Sequence, residues 1–176
     1  MRKTFACVLA LLLLAAAPVA AAEMKIGYLD LQKALNLSEA GKAAKSKIGD
    51  KVKKYQGTIE GRQNELKKIN EEMEKQKMML SAETKAEKER DYQQKIKEFQ
   101  RFTKDAQEEL QREDAQHTRS ILEDLFKVVK EIGTKGNYTL ILEKTESSVL
   151  YADDGINLTD EVIAAYNKVY KKNQGK

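Results

Sequence analysis

Side chains able to carry catalysis are few in this sequence. His117 is the only histidine and Cys7 the only cysteine, so no set of nitrogen and sulfur ligands can enclose a zinc ion. Serine chemistry fares no better, because Gly-x-Ser-x-Gly is absent and one histidine would have to serve any triad. Acid pairs such as Glu71 with Glu72 and Glu108 with Glu109 lie in highly charged stretches, where a solvated face explains them better than acid–base catalysis. The nine glycines form neither Gly-x-Gly-x-x-Gly nor Gly-x4-Gly-Lys, which leaves no phosphate cradle. Asn157-Leu158-Thr159 has the form of a glycosylation acceptor, but Thr159 also stands where a helix cap is expected. No enzyme, metal site or cofactor site is expected.

What remains is chemistry of surfaces. Met78, Met79 and Leu80 are consecutive, and flexible, polarizable methionines suit contact with many apolar sequences. They form a candidate client-binding patch, or a plain hydrophobic plug. Phe102 joins them as an aromatic beside the helical stripe that can face outward. From Lys33 to Tyr55 seven lysines face two acids, a local excess of +5. Lys47, Lys51 and Lys54 line one helical face there. They make either a stripe for an anionic partner, weakened by salt, or an ordinary solubilising surface.

The elements that must position these residues follow from periodicity. A three-four spacing selects Ile48, Val52, Tyr55, Ile59, Arg62, Leu66, Ile69, Met73, Gln76 and Leu80, with Lys, Glu, Gln and Asn between them. That is the seam of a helix packed on another helix. Residues 48–80 would give roughly 48 Å of helix. Ser81 and Glu83 signal a new helix start, placing a hairpin tip near residues 80–84. The return reads Tyr92, Ile96, Phe99, Thr103, Ala106 and Leu110. It loses phase through residues 111–120, as in a stutter, and recovers at Leu122, Leu125, Val129 and Ile132. Gly57 and Gly61 fall on the outer side, either as points of bending or as tolerated surface glycines. Residues 25–31, 138–143 and 147–151 fit strands. Gly133 and Gly136 end the long helix, and Thr159 caps a closing helix from Asp160 to about Tyr170, with Leu158 and Ile163 at hydrophobic-staple spacing.

Composition sets the context. The chain has 176 residues, 34% charged and 41% hydrophobic. Residues 1–22 read as a cleavable export leader: Arg2 and Lys3, an apolar stretch over 8–17, then Ala20-Ala21-Ala22. Removal leaves 154 residues with neither cysteine nor proline and a net charge of +2. That charge argues against general nucleic-acid binding. No transmembrane helix is expected. Three short strands and one small helix bury too little to anchor such a hairpin, and no disulfide can brace them. Self-association is the natural remedy, with strands pooled among copies and Ile26, Tyr28, Leu140, Leu142, Val149 and Tyr151 as the shared core.

Three stretches carry a resemblance. They are Ile26-Gly27-Tyr28-Leu29-Asp30-Leu31-Gln32-Lys33, Ser38-Glu39-Ala40-Gly41-Lys42-Ala43-Ala44 and Asn137-Tyr138-Thr139-Leu140-Ile141-Leu142-Glu143. Together with the order strand, long charged hairpin, strands and final helix, they resemble the Skp family, also called OmpH, of periplasmic chaperones for outer-membrane proteins. The resemblance implies an α+β, mostly α, fold: a long antiparallel coiled-coil hairpin projecting from a small β body completed by trimerisation. It divides the chain into a leader at 1–22, a β-rich trimerisation body at 23–47 and 133–176, and an arm at 48–132. The function it implies is ATP-independent holding of unfolded outer-membrane β-barrel proteins in a cavity between three arms, preventing aggregation in transit. Lipopolysaccharide or another anionic lipid enters as a further partner with no residues assigned. The competing reading is a non-enzymatic structural or adaptor protein of the bacterial envelope, which would bind one folded partner and ignore unfolded barrels.

Overall fold

The computed structural model describes residues 24–174, so the leader, with Cys7, Pro18 and the expected cleavage after Ala22, lies outside the described residues. The chain runs β1 (Ile26–Leu29), α1 (Leu31–Leu37), α2 (Glu39–Gln76), α3 (Ala82–Lys135), β2 (Leu140–Glu143), a 3-10 turn (Asp154–Ile156) and α4 (Thr159–Gln174). The two strands pair in parallel, Ile26 opposite Leu140 through to Leu29 opposite Glu143. A parallel pair needs a long crossover, and here the entire helical hairpin is that crossover. On the other edge of β1, Tyr28 bridges Asn157, and the Leu158 N–H donates to the Tyr28 carbonyl at 2.8 Å.

Local signals explain the helix starts. The Asp30 carboxylate accepts from the Lys33 N–H at 2.7 Å and caps α1. Ser38 separates α1 from α2. Its buried hydroxyl accepts from Gly41 N–H and donates to the Leu35 carbonyl, both at 3.1 Å. A Cβ on Gly41 would stand 1.8 Å from the Leu35 carbonyl oxygen, so this elbow requires glycine. Asn137 follows the cap of α3 with φ 52, the left-handed residue that commonly ends a helix.

The core is built from one end of the hairpin. Ile121, Leu125 and Val128 of α3 pack with Ala34, Ala40, Leu158, Val162 and Tyr166. Leu125 and Val162 are completely enclosed. Thr159 is also fully buried: its hydroxyl accepts from Asp30 N–H at 2.9 Å and donates to Asn157 Oδ1 at 2.6 Å. The Asn157 side chain, not Thr159, is the acceptor at the start of α4, taking Thr159 N–H at 3.0 Å.

Several sequence expectations change in the folded chain. Residues 147–151 form no strand: the backbone turns over residues 144–148, with Ser148 at φ 51, and the following segment has no ladder partner among the described residues. The expected β-rich body contains two four-residue strands, while most of residues 31–47 is already helical. The arm helix therefore starts at Glu39 instead of Ile48, because Ser38 supplies the cap that the seam pattern alone does not register. Gly133 lies inside α3, and α4 continues to Gln174. In the arm, all ten seam positions from Ile48 to Leu80 are half-buried, Arg62 and Gln76 included. The polar stretch 111–120 stays within one continuous helix.

Candidate interaction surfaces

The hairpin tip forms as its residues dictate. After α2 ends at Gln76, the Met79 and Leu80 amides both donate to the Gln76 carbonyl, at 2.8 and 3.2 Å. The Ser81 hydroxyl accepts from Thr84 N–H at 3.2 Å to start α3, with Glu83 in its first turn. This tight turn leaves Met78 and Met79 outside, 95% and 86% exposed. Leu80 behaves differently: half-buried, it closes the seam. With Met73, Ala86 and the stems of Lys77, Lys85 and Lys88 it lines a groove of about 330 Å3.

Phe102 does not face outward. Its ring meets Tyr55 edge-on, centroids 5.8 Å apart at 70°, and the Arg62 guanidinium lies 4.5 Å from its centroid. It is half-buried between the helices, which removes it from any free client-binding surface. The interruption that Arg62 makes in the seam is thereby explained: its charged plane covers an aromatic face.

The lysine stripe is also divided. Lys51 reaches across the hairpin, donating to Glu109 Oε1 at 2.6 Å and to Glu113 Oε1, while the Tyr55 hydroxyl donates to Glu109 Oε2 at 2.6 Å. The two carboxylates hold the Lys51 ammonium well above the usual lysine range. Lys51 and Tyr55, both donating, hold Glu109 below the usual carboxylate range, and the bond to Glu109 raises the Tyr55 phenol. Lys47 and Lys54 stay exposed. Further out, Lys95 pairs with Glu65 at 2.7 Å. The single histidine, half-buried on α3, borders a hollow of about 230 Å3 with Asp114, Lys45, Asn36 and Ile48.

In the body, the six expected core residues separate. Tyr28 is internal, 5% exposed, its hydroxyl donating to Asp154 Oδ1 at 3.3 Å; burial, then the Asp154 charge, raises its phenol. Leu142 and Val149 are half-buried. Ile26 and Leu140, neighbours in the ladder, are 37% and 45% exposed, and Tyr151 is 87% exposed. Leu150 is fully exposed. Sequence reasoning named Val149 and Tyr151 for the core and passed over Leu150 between them. Phe126, 57% exposed on α3, was also missed, since it stands outside the recovered seam.

Among the described residues, no group of three His, Cys, Asp or Glu side chains converges as a metal site, and no helix is long and apolar enough to cross a membrane. Every buried side-chain polar atom there has a hydrogen-bond partner. Three surfaces stand out: an exposed methionine tip, a polar network at the arm base and an apolar margin on the body.

Comparisons with known proteins agree with this architecture. A family model described as outer membrane protein (OmpH-like) matches residues 25–166. A Skp-like protein of Pseudomonas aeruginosa is 28% identical over 173 residues, covering 96% of this chain and 99% of that protein. The crystal structure of an OmpH-like protein of Caulobacter crescentus, assigned to the outer membrane chaperones, superposes with a TM-score of 0.77. It is 16% identical and covers 83% of this chain and 85% of its own.

Proposed function

The chain belongs to the OmpH-like outer membrane protein family, the Skp family, and from that premise we propose that it is a periplasmic holdase for unfolded outer-membrane β-barrel proteins. The observation that carries this reading is where apolar surface is left uncovered. At the far end of a long arm Met78 and Met79 are almost fully exposed, while the seam positions from Ile48 to Leu80 stay half-buried. An unfolded membrane barrel exposes alternating apolar residues and aggregates by strand pairing. Weak, adaptable contacts isolate such a chain without holding it past the point of release. Nucleotide is unnecessary, because transfer to a more stable folded state drives release.

The proposal extends to assembly: the body supports association between copies, and the family resemblance implies three of them. Among the described residues β2 has no ladder partner on its outer edge, and Ile26, Leu140, Leu150 and Tyr151 are exposed in the same small body. A sheet shared among copies removes both the open edge and the apolar exposure. It also sets three arms around a common space. Export to the periplasm follows from the leader expected at residues 1–22.

The test is aggregation of an unfolded outer-membrane barrel, followed by light scattering without ATP, alongside solution mass by ultracentrifugation. Excess protein should suppress scattering and sediment as three copies. Unchanged scattering overturns the holdase reading, and a stable folded single copy overturns the cavity.

A further inference from the structure

An oxidant meeting this chain finds little to react with. The sequence holds no tryptophan, and its one cysteine, Cys7, lies in the leader expected at residues 1–22. Without that leader no thiol is left, and the polarizable thioethers of methionine become the softest groups on offer. The chain has five methionines: Met1 in the leader, then Met24, Met73, Met78 and Met79. Their settings differ. Met73 is half-buried in the arm seam and lines the tip groove beside Leu80 and Ala86. Met24 is 65% exposed just ahead of β1, at the body end of the molecule. Met78 and Met79 stand side by side in the hairpin turn, almost wholly in water.

The turn does not depend on these two side chains. It is closed by backbone bonds, the Lys77 amide to the Glu74 carbonyl and the Met79 and Leu80 amides to the Gln76 carbonyl, and by the Ser81 cap on α3. Leu80, and neither methionine, plugs the seam. Changing the Met78 and Met79 side chains would therefore alter what the tip can touch and leave the hairpin standing. Oxidation makes such a change, because it turns a flexible apolar side chain into a polar one. A hydrated sulfoxide must give up water to lie against an apolar segment and gains no hydrogen bond in return. The reaction balances with a peroxide alone. The thioether sulfur attacks one peroxide oxygen; an S–O bond forms, the O–O bond breaks, and the proton on the transferred oxygen passes to the departing one, giving sulfoxide and water. Sulfur loses the two electrons that the peroxide gains. Two thiols of a sulfoxide reductase reverse the change, yielding thioether, water and a disulfide.

We propose that Met78 and Met79 form a reversible oxidation site, at which a peroxide converts the tip from an apolar contact surface to a polar one and a methionine sulfoxide reductase restores it. The site rests on their exposure and on the turn's independence of them; its consequence for clients rests on the holdase reading. Met73, shielded in the seam, reacts later than the tip. Met24, exposed but at the opposite end of the arm, serves as the reference.

Peptide mass mapping and light scattering on the full mature chain, after graded hydrogen peroxide, test this. Trypsin cleavage after Lys68, Lys75, Lys77 and Lys85 separates Met73 from the tip pair, so the two are read apart. The peptide spanning 78–85 should gain oxygen several-fold faster than the one spanning 69–75. As it does, several-fold more protein should be needed to suppress aggregation of an unfolded barrel, with helicity and sedimenting mass unchanged. Both epimer-specific sulfoxide reductases, supplied with a dithiol, should return the suppression. Met24→Leu should follow the parent throughout, and the double variant Met78→Leu, Met79→Leu should suppress to the same extent before and after peroxide. Oxidation of Met73 as fast as the tip overturns the site. Undiminished suppression once the tip is oxidised overturns the switch, as does a loss that the reductases do not reverse, that persists in the double variant or that accompanies falling helicity. An untreated parent that never suppresses aggregation defeats the holdase reading, while the peptide map still decides whether the tip is the oxidation site.

Discussion

The body and the arm of this chain bury their apolar residues in different ways. In the body, Leu125, Val162, Thr159 and Ser38 are enclosed by four helices and a short sheet. In the arm, no residue between Ile48 and Leu80 is fully enclosed, and across the seam only Ala106 is. Two helices can shield one stripe from each other, but both margins of that stripe stay open to water. The difference teaches that packing sets the geometry of the body, whereas the arm relies on pairwise contacts that solvent can reach. Such an element holds a shape while remaining easier to deform than the enclosed core.

The largest effect should separate the two regions directly. Leu125→Ala empties a fully enclosed site and should cost about 3 kcal/mol, whereas Leu66→Ala on the half-buried seam should cost about 1 kcal/mol. Urea unfolding of each variant checks the ratio; equal losses would erase the distinction.

Titration should sharpen the contrast next. Burial pushes the Tyr166 phenol in the body core up to about 12, so its neutral form is favoured on folding. The stability it adds is complete below the ordinary tyrosine range and is lost as pH rises from about 10 through its raised value. In the arm, Glu109 and Glu65 are lowered by their lysine partners. Their contribution is present above the ordinary carboxylate range and is lost as pH falls through their lowered values. Thermal unfolding followed with one probe in each region should show acid loosening the arm, and alkali loosening the body through Tyr166 and the arm through Tyr55, whose phenol its bond to Glu109 raises. Tyr166→Phe should remove much of the alkaline sensitivity of the body, and an unchanged alkaline profile there would contradict the assignment.

The smallest effect concerns the arm alone. At Gly57 and Gly61 an added Cβ meets open space, so alanine at either should stabilise the helix by up to about 1 kcal/mol. Hydrogen exchange should then slow over residues 55–63. If those amides in the parent are already as protected as those of 66–76, the glycines are not points of bending.

The seam, the tip and the helix start after Ser81 could be read ahead of the structure because each depends on neighbours within a few residues. Leu80 as the closing plug and Met78 with Met79 outside it follow from the same period. Phe102 could not be assigned that way. It sits one position from a seam residue, and only the presence of Tyr55 and Arg62 opposite turns it inward. Lys51 was equally indistinguishable from Lys47 and Lys54 until the helical register set Glu109 and Glu113 across from it. Gly41 gave no signal as a bare glycine, because its necessity comes from a carbonyl six residues earlier in a turn between two helices.

By itself, then, the amino-acid order determined a long two-helix arm with a methionine end and strands at either side of it. Periodicity, capping chemistry and residue inventory are local properties, and they survive without knowledge of the partner. The tertiary structure decided which lysine is spent inside the hairpin, which aromatic is hidden and which body residues lie outside. Those outcomes depend on what stands opposite each side chain once distant segments meet, and no spacing along one segment encodes the identity of its neighbour.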